Sequence, residues 1–521
     1  MFVTHNEYDL SHAVRKTLPM VIPVGDRIRS PGQRRKGQQT VSRSPFDPIE
    51  IPDEAWRRES TQRILQDRAA GPLFGFAQKY GISQTRLGAA TGMGQGRIND
   101  LIHGRRGNIT ALDSWERIAE GLNMPSHARM TLGLAPQSPP DMDLAPGQSI
   151  PADLGLGFPT SSADRAETTT RLWNADLKDV RHVVNGSVDV QAWSDASLKW
   201  LLAKTIEPSS SNGRDVGAAD VQRVQLTTEM FSQMDNRFGG GHARHALIQF
   251  LATDVTQLMA GQFTDEIGGE LFSAVAEATL LAAWMAYDSG LHGLAQRYFI
   301  QALALAESGR NRLLAGSILD AMSHQATFIG RFEEAANLAR AAQVGTKTAT
   351  PTLSAHFYAM EARALARLGD ARGCDLALSE AVKAFERRNP EDDPEWIRYF
   401  DEAELAAEFG HCFRDLGRPV DATAYATQSL GSADGTYQRS DFFATMVLAD
   451  AHLRAGDAEE ACQVALNALR LGEQLKSARC VSYVREFSAG LDGIGPTPLV
   501  RDFTDQATEF GLWKQARPGT S

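Results

Sequence analysis

Five glycines recur through the second half of this 521-residue chain, at Gly290, Gly330, Gly369, Gly417 and Gly456, with intervals of 40, 39, 48 and 39 residues. A small residue follows each after five positions (Ala295, Ala335, Cys374, Ala422, Ala461). Another comes seven further on (Ala302, Ala342, Ala381, Ser429, Ala468). The surrounding phrases are alike: FIGRFEEAANLARAA, RLGDARGCDLALSEA, DLGRPVDATAYATQS and RAGDAEEACQVALNA. Small residues at fixed places let two helices cross closely, and the glycine turns the chain between them. A repeat of this kind decides the fold, because one unit cannot bury its apolar face alone and about three or more must stack to form a continuous core. From residue 171 onward the pattern is helical almost to the end, with strand-type alternation only in VRHVVNGSVDV (180–190). The expectation is an all-α chain.

A second pattern lies near the start. Residues 84–106, QTRLGAATGMGQGRINDLIHGRR, read as two short helices around a glycine. Leu87, Ala90 and Met93 supply the apolar side of the first helix. Gly92 stands where the chain leaves it, and glycine tolerates the left-handed conformation of such an exit. In the second helix Ile98, Leu101 and Ile102 recur at helical spacing and face inward. Gln84, Gln95, Arg97 and Asn99 are then expected to face outward. These are side-chain types that read base edges, Gln and Asn on adenine and Arg on guanine. Arg105 and Arg106 follow as expected phosphate contacts. Leu73, Phe74, Phe76 and Ala77 upstream, and Leu112, Trp115, Ile118, Ala119 and Leu122 downstream, supply the rest of a small core. Gly94 and Gly96 flank the start of the second helix, where each glycine costs about 1 kcal/mol of helix stability.

The segment resembles the Xre-type (Cro/repressor-like) helix-turn-helix family, through Gly81-Ile82-Ser83-Gln84, Leu87, Gly92, Gln95, Ile98, Gly104 and Ile118-Ala119 followed by Leu122. The repeats resemble tetratricopeptide repeats, whose unit is about 34 residues. The chain over residues 50–490 is similar to Xre-type regulators with tetratricopeptide-like C-terminal domains, common in antibiotic-producing soil bacteria. GISQTRLGAATGMGQGRI, RIAEGLNMPSHARMTLGLAP and MDNRFGGGHAR carry that likeness. It implies transcriptional control by binding double-stranded DNA, usually as a homodimer. It also implies an N-terminal helix-turn-helix bundle joined by a Pro/Gly/Ser-rich linker to an α-solenoid.

The expected organisation is a disordered basic arm (1–51), the DNA-binding domain (52–134), the linker (135–170), a helical region (171–274) and the repeats (275–512). Residues 11–44 hold eight Lys or Arg and one acid. The arm is either a solvated tail or a segment that tracks the DNA backbone or a minor groove. A net charge of −11 looks wrong for a DNA binder, but residues 1–135 carry +6 and residues 136–521 carry −17. That division directs phosphates to the N-terminal domain alone. No run of eighteen apolar residues marks a membrane span, and no secretory leader is evident. Cys374, Cys412, Cys462 and Cys480 have no short pair spacing and read as buried thiols of a reduced, cytoplasmic protein.

No catalytic motif assembles: there is no H-E-x-x-H, G-x-S-x-G, phosphate loop or C-x-x-C. The chain is expected not to be an enzyme and to need no cofactor or metal. Gly239-Gly240-Gly241 lack the preceding strand and the Lys of a phosphate loop, so a helix–helix turn is expected. His242 and His245 have no evident partner ligand. RRNPEDDPEW (387–396) reads as an insertion, either a hinge or a surface excursion.

The tetratricopeptide likeness implies that the first helix of each pair lines a groove. It places Trp284, Tyr287, His324, Phe328, Arg363, Arg367, His411, Arg414 and Arg454 there. Such a surface suits an extended peptide, small ligand or protein partner bearing a carboxylate, since Arg engages carboxylates bidentately. Equally, these arginines pair with neighbouring acids such as Asp415 and Asp450 while the aromatics pack between repeats. Two functions follow: a DNA-binding regulator with a sensing or dimerising repeat domain, or a non-catalytic scaffold in which the repeats hold a protein partner and the small domain serves assembly.

Overall fold

The computed structural model describes residues 49, 51–105, 109, 112–132, 150–203, 213–241, 243–433 and 435–517. Among these there is no β-strand, and a single bridge joins Asp215 to Gln262. The chain is all-α and divides into two units, residues 1–137 and 138–521. The basic arm lies outside the described residues except for Ile49, which is buried, and Ile51.

The N-terminal unit holds α1 (Asp53–Trp56), α2 (Glu59–Gln66), α3 (Ala70–Lys79), α4 (Gln84–Thr91), α5 (Gln95–Ile102), α6 (Leu112–Gly121) and α7 (Ser126–Thr131). Their apolar stripes converge on one core that includes Trp56, Phe74, Leu87, Ile98, Trp115, Ile118 and Leu122. The Ser83 hydroxyl caps α4 by accepting from Arg86 N at 3.2 Å, which satisfies one of the amides a helix start leaves open. Gly92 ends α4 at φ +66°, in the left-handed region. Two further glycines set the crossings. A Cβ on Gly71 of α3 would strike the Leu101 carbonyl of α5, and one on Gly121 of α6 would strike that of Ala90 in α4.

The C-terminal unit begins with α8 (Ser162–Leu177), α9 (Arg181–Val184), α10 (Val190–Leu202), α11 (Ala218–Phe238), α12 (Arg244–Phe250) and α13 (Thr256–Met259). The hinted strand at 180–190 is therefore α9 and the start of α10. The segment read as linker is partly built into this unit. Leu154 and Phe158 are buried in its core. The Gln301 amide donates to the carbonyls of Gly155 and Gly157 at 2.8 and 2.9 Å, and Arg297 donates to Ala152 at 2.8 Å. Proline and glycine give the segment a linker's composition. Two apolar anchors and three satisfied carbonyls make it part of the fold.

Five tight pairs follow. They are α14 (Asp265–Asp288) with α15 (His292–Ser308), α16 (Arg312–Phe328) with α17 (Phe332–Gly345), and α18 (Pro351–Leu368) with α19 (Ala371–Phe385). Then come α20 (Glu402–Asp415) with α21 (Pro419–Ser432) and α22 (Gln438–Ala455) with α23 (Ala458–Leu471). The five register glycines all take positive φ, between +68° and +87°. The first set of small residues is fully buried, as is every member of the second except the slightly exposed Ser429. Helix α14 is long and apolar enough to cross a membrane by length and composition, and it packs here between α15 and α11. The glycine register continues once more than the repeated phrases show. Gly495, 39 residues after Gly456, has φ +85°. It lies between α24 (Ala478–Asp492) and α25 (Pro498–Ala507), and Ala507 keeps the second small position. Val500 replaces the first small residue, and α24 packs instead on α22 and on α26 (Gly511–Ala516).

The 387–396 insertion is anchored. Asp393 accepts from the Thr352 hydroxyl at 2.6 Å. Ile397 and Phe400, just beyond it, are buried, with Phe400 edge-on to His356 at 4.4 Å. Its acidic, proline-bearing composition resembles a surface loop, but its apolar end returns to the core.

The succession of pairs closes on itself at Asp288, the last residue of α14. Its carboxylate accepts from Gly240 N at 2.9 Å, from the Ser477 hydroxyl at 2.8 Å and from Arg479 Nε at 2.7 Å. Arg439 lies 3.4 Å from the same carboxylate and pairs with Asp235 of α11 at 2.8 Å. Burial alone would push the Asp288 carboxyl up, but the Arg439 and Arg479 guanidiniums and the Gly240 amide hold it below the usual range. Gly239–Gly241 make the closure possible. Added Cβ atoms on Gly239 and Gly240 would stand 2.8 Å from the Lys476 carbonyl and 2.7 Å from that of Met285. The glycine run is the helix–helix turn expected, shaped by backbone contact. Removing one partner of a buried charge cluster leaves the others uncompensated, at a typical cost of about 3–5 kcal/mol. Asp288→Asn is expected to lower the unfolding free energy of this unit by about that amount, read by urea denaturation of the full chain; a loss under ~1 kcal/mol would contradict the closure.

Candidate nucleic-acid interface and the polar face of the repeats

The face expected to read bases is carried by α5. Ile98 and Leu101 turn into the N-terminal core, and this orientation leaves Gln95 and Arg97 exposed. Gln84 and Asn99 are half-buried, and the Gln84 amide donates to Asn99 Oδ1 at 3.4 Å. The first residue of α4 is thereby tied to the middle of α5. Gly104 takes φ +67° and ends the turn after α5. Arg105 follows, exposed, its backbone N–H bonded to the Asp100 carbonyl at 2.8 Å. Arg106 lies outside the described residues. The structure thus gathers Gln84, Gln95, Arg97, Asn99 and Arg105 on or beside one helix. Two of them, Gln84 and Asn99, engage each other, where the sequence pattern had all four reading residues pointing outward independently.

The face expected to line a groove is a ladder of paired groups. Counted back six residues from each turn glycine stand Trp284, His324, Arg363, His411 and Asp450, one per first helix. At one end Trp284 and Tyr287 meet His324 and Phe328. The Tyr287 hydroxyl is 3.0 Å from His324 Nδ1, and Tyr287 packs edge-on to Phe328 at 5.5 Å. In the middle Arg363 is paired with Glu408 at 2.6 Å. At the other end Arg414 pairs with Asp415 at 2.7 Å and stands 3.9 Å from Asp450. Arg367 is 3.7 Å from Asp415 and lies over the Phe332 ring. His411 faces the Tyr483 hydroxyl at 3.5 Å. Arg454 stands apart, exposed in the last turn of α22. Arg363, Arg367 and Arg414 are therefore paired with neighbouring carboxylates, the pairing that Asp415 and Asp450 foreshadow in the sequence.

Several members of the face carry no obvious sequence signal. Arg479 of α24 is the most important. It is stacked 4.7 Å from Tyr287 and 4.9 Å from Phe443 while bonded to Asp288. Its partner is 191 residues away, and no local pattern encodes such a distance. Glu408 and Asp320 were legible in principle, since each lies about one turn before the six-residue position on its helix.

Burial governs protonation along this face. Burial, reinforced by the Arg363 guanidinium, pushes His324 and His411 well below the ordinary imidazole value. Burial opposes the charged form of His356 too, but the paired Asp320 carboxylate outweighs it and raises that imidazole. Burial lifts the Glu404 carboxyl to about 7, with Glu408 and Asp401 adding to the shift and the Ser440 hydroxyl opposing it. Asp450 rises to about 6 by burial, partly offset by Arg414 and Arg454. Among the described residues no group of three or more His, Cys, Asp or Glu could hold a metal ion; His242 is outside them.

No family model matches the chain, and no curated protein matches it significantly.

A carboxyl whose pKa is raised by folding binds its proton more tightly in the folded state. Its contribution to stability is complete below its ordinary value and is lost as pH rises through the folded value. For Glu404 that window runs from 4.5 to about 7. Glu404→Gln is expected to flatten the fall in stability across this window, followed by urea midpoints at a series of pH values. Parallel curves for variant and parent would contradict the assignment.

Proposed function

We propose that this protein is a sequence-specific DNA-binding regulator. Its N-terminal unit acts as an Xre-type helix-turn-helix domain, and its C-terminal unit is a tetratricopeptide-like stack that senses a ligand or joins two copies. The observation that carries this reading is the exposed face of α5, where Gln95 and Arg97 project from a helix whose other side is locked into the core. Arg and Gln on such a face match guanine and adenine edges in the major groove. Arg105 stands just beyond, suited to a phosphate. The charge division supports the same reading, since the end bearing α5 is net basic and the remainder strongly acidic. Phosphate contact supplies affinity and base contact supplies sequence preference.

One observation favours the second reading, a non-catalytic scaffold. The polar ladder of the repeats is internally paired, Arg363 with Glu408 and Arg414 with Asp415, so these guanidiniums are already engaged within the unit. On the regulator reading, the paired ladder is a rigid frame, and two copies place their α5 helices on half-sites about 34–36 Å apart. A protein that sediments as a monomer both alone and on its selected duplex would rule out that arrangement.

Arg97→Ala is expected to erase preference at one or two base pairs, about 1–3 kcal/mol of discrimination, measured by selection from a random duplex pool. Arg105→Ala is expected to weaken all sequences alike and to reduce the slope of log affinity against log salt by about one. An unchanged sequence preference in the first variant would refute the base-reading role.

A further inference from the structure

Nine glycines of the N-terminal unit are described, and six of them have a reason inside the protein. Gly71, Gly88 and Gly121 sit against the backbone carbonyls of Leu101, Met93 and Ala90, where a Cβ would collide. Gly81, Gly92 and Gly104 take positive φ. Three remain: Gly75, Gly94 and Gly96. A Cβ on any of these would meet nothing within 4 Å. Two of the three flank Gln95 at the exposed head of α5.

Neither backbone conformation requires glycine there. Gly94 has φ −60° and ψ 137°, an ordinary extended geometry open to any residue. It supplies no side chain to cap α5, whereas Ser83 caps α4 in the same unit. Gly96 is in the first turn of the helix, where alanine would favour the helix. The head of the helix is thus left weaker than its own fold demands. Glycine is also the residue that permits another backbone or a ligand to approach closely.

We infer that Gly94 and Gly96 are clearance positions: when α5 enters the major groove, the sugar–phosphate wall of the duplex occupies the volume their side chains would fill. This rests on the DNA-reading proposal and adds a geometric element to it. The helix approaches head-first, with its opening turn against one groove wall and Arg97 directed to the bases. Because the wall is common to all sequences, loss of clearance weakens binding without altering preference. That separates these glycines from Arg97. It also predicts opposite signs for two properties of one substitution, since a methyl group at Gly96 strengthens the free helix and obstructs the bound one.

The test uses the full chain, with Gly96→Ala and Gly94→Ala against Gly75→Ala as a control. Gly75 lies within α3 and shares the absence of any internal steric reason. Two readouts are taken, amide exchange of α5 without DNA and affinity for a duplex enriched by the parent protein. In Gly96→Ala, exchange in α5 is expected to slow roughly fivefold, while affinity falls tenfold or more for every sequence tested. Gly75→Ala is expected to keep parental affinity. Slower exchange with unchanged affinity would overturn the clearance role and leave the DNA-reading proposal standing. An equal affinity loss in Gly75→Ala, or a loss in Gly96→Ala accompanied by faster exchange, would also overturn it by showing general damage. A parent protein that enriches no duplex would remove both the inference and the reading on which it rests.

Discussion

The C-terminal unit depends on one buried carboxylate. Asp288 ends the first helix of the first pair and receives bonds from Gly240, Ser477 and Arg479, with Arg439 close by. These groups come from the turn before the first pair, from α22 of the fifth pair and from α24 and the residue before it, so the carboxylate ties the first pair to the last. A buried charge is costly unless compensated. Here compensation requires both arginines, and it requires glycines at 239 and 240 so that the backbones can approach. The aromatic wall of Tyr287 and Phe443 then holds Arg479 flat. Closure and the aromatic packing around Arg479 are connected consequences of that one arrangement; the His324 and His411 imidazoles are lowered chiefly by burial and Arg363, with a lesser contribution from Arg479.

The two units obey different constraints. In the repeats, small residues at fixed positions after each glycine set helix separation, and charged side chains are taken inside in pairs. In the N-terminal unit the core is apolar, and the polar side chains of α5 are left outside it. A helix buried on one side and furnished with Gln, Arg and Asn on the other is arranged for contact with something polar and structured. The basic character of this end and the acidic character of the rest are consistent with the duplex DNA proposed as that partner.

Much of this was legible in the sequence because it is periodic. The glycines at 290, 330, 369, 417 and 456 all adopt the left-handed conformation that a turn between helices needs, and the small residues after them lie at the crossings. Gly495 belonged to the same register, hidden because Val500 interrupts the small-residue phrase. The Ser83 cap, the Gly92 turn and the inward set of Ile98 and Leu101 were local and therefore readable. Long-range relations were not. Arg479 on Asp288 and Arg439 on Asp235 pair residues 191 and 204 positions apart, with no shared period. The segment around Leu154 and Phe158 was obscured differently, because its proline and glycine content is that of a linker while two apolar side chains tie it down. The Gln84–Asn99 bond was hidden because composition shows which residues face outward, not which of them face each other.

The central claim is that α5 reads duplex DNA. The most direct measurement is amide exchange of the full chain with and without a duplex enriched from a random pool. Protection centred on residues 94–105, absent with an unrelated duplex at the same salt concentration, is the result this account predicts. Enrichment of no sequence at all, or protection confined to residues 275–512 with α5 unchanged, would contradict it.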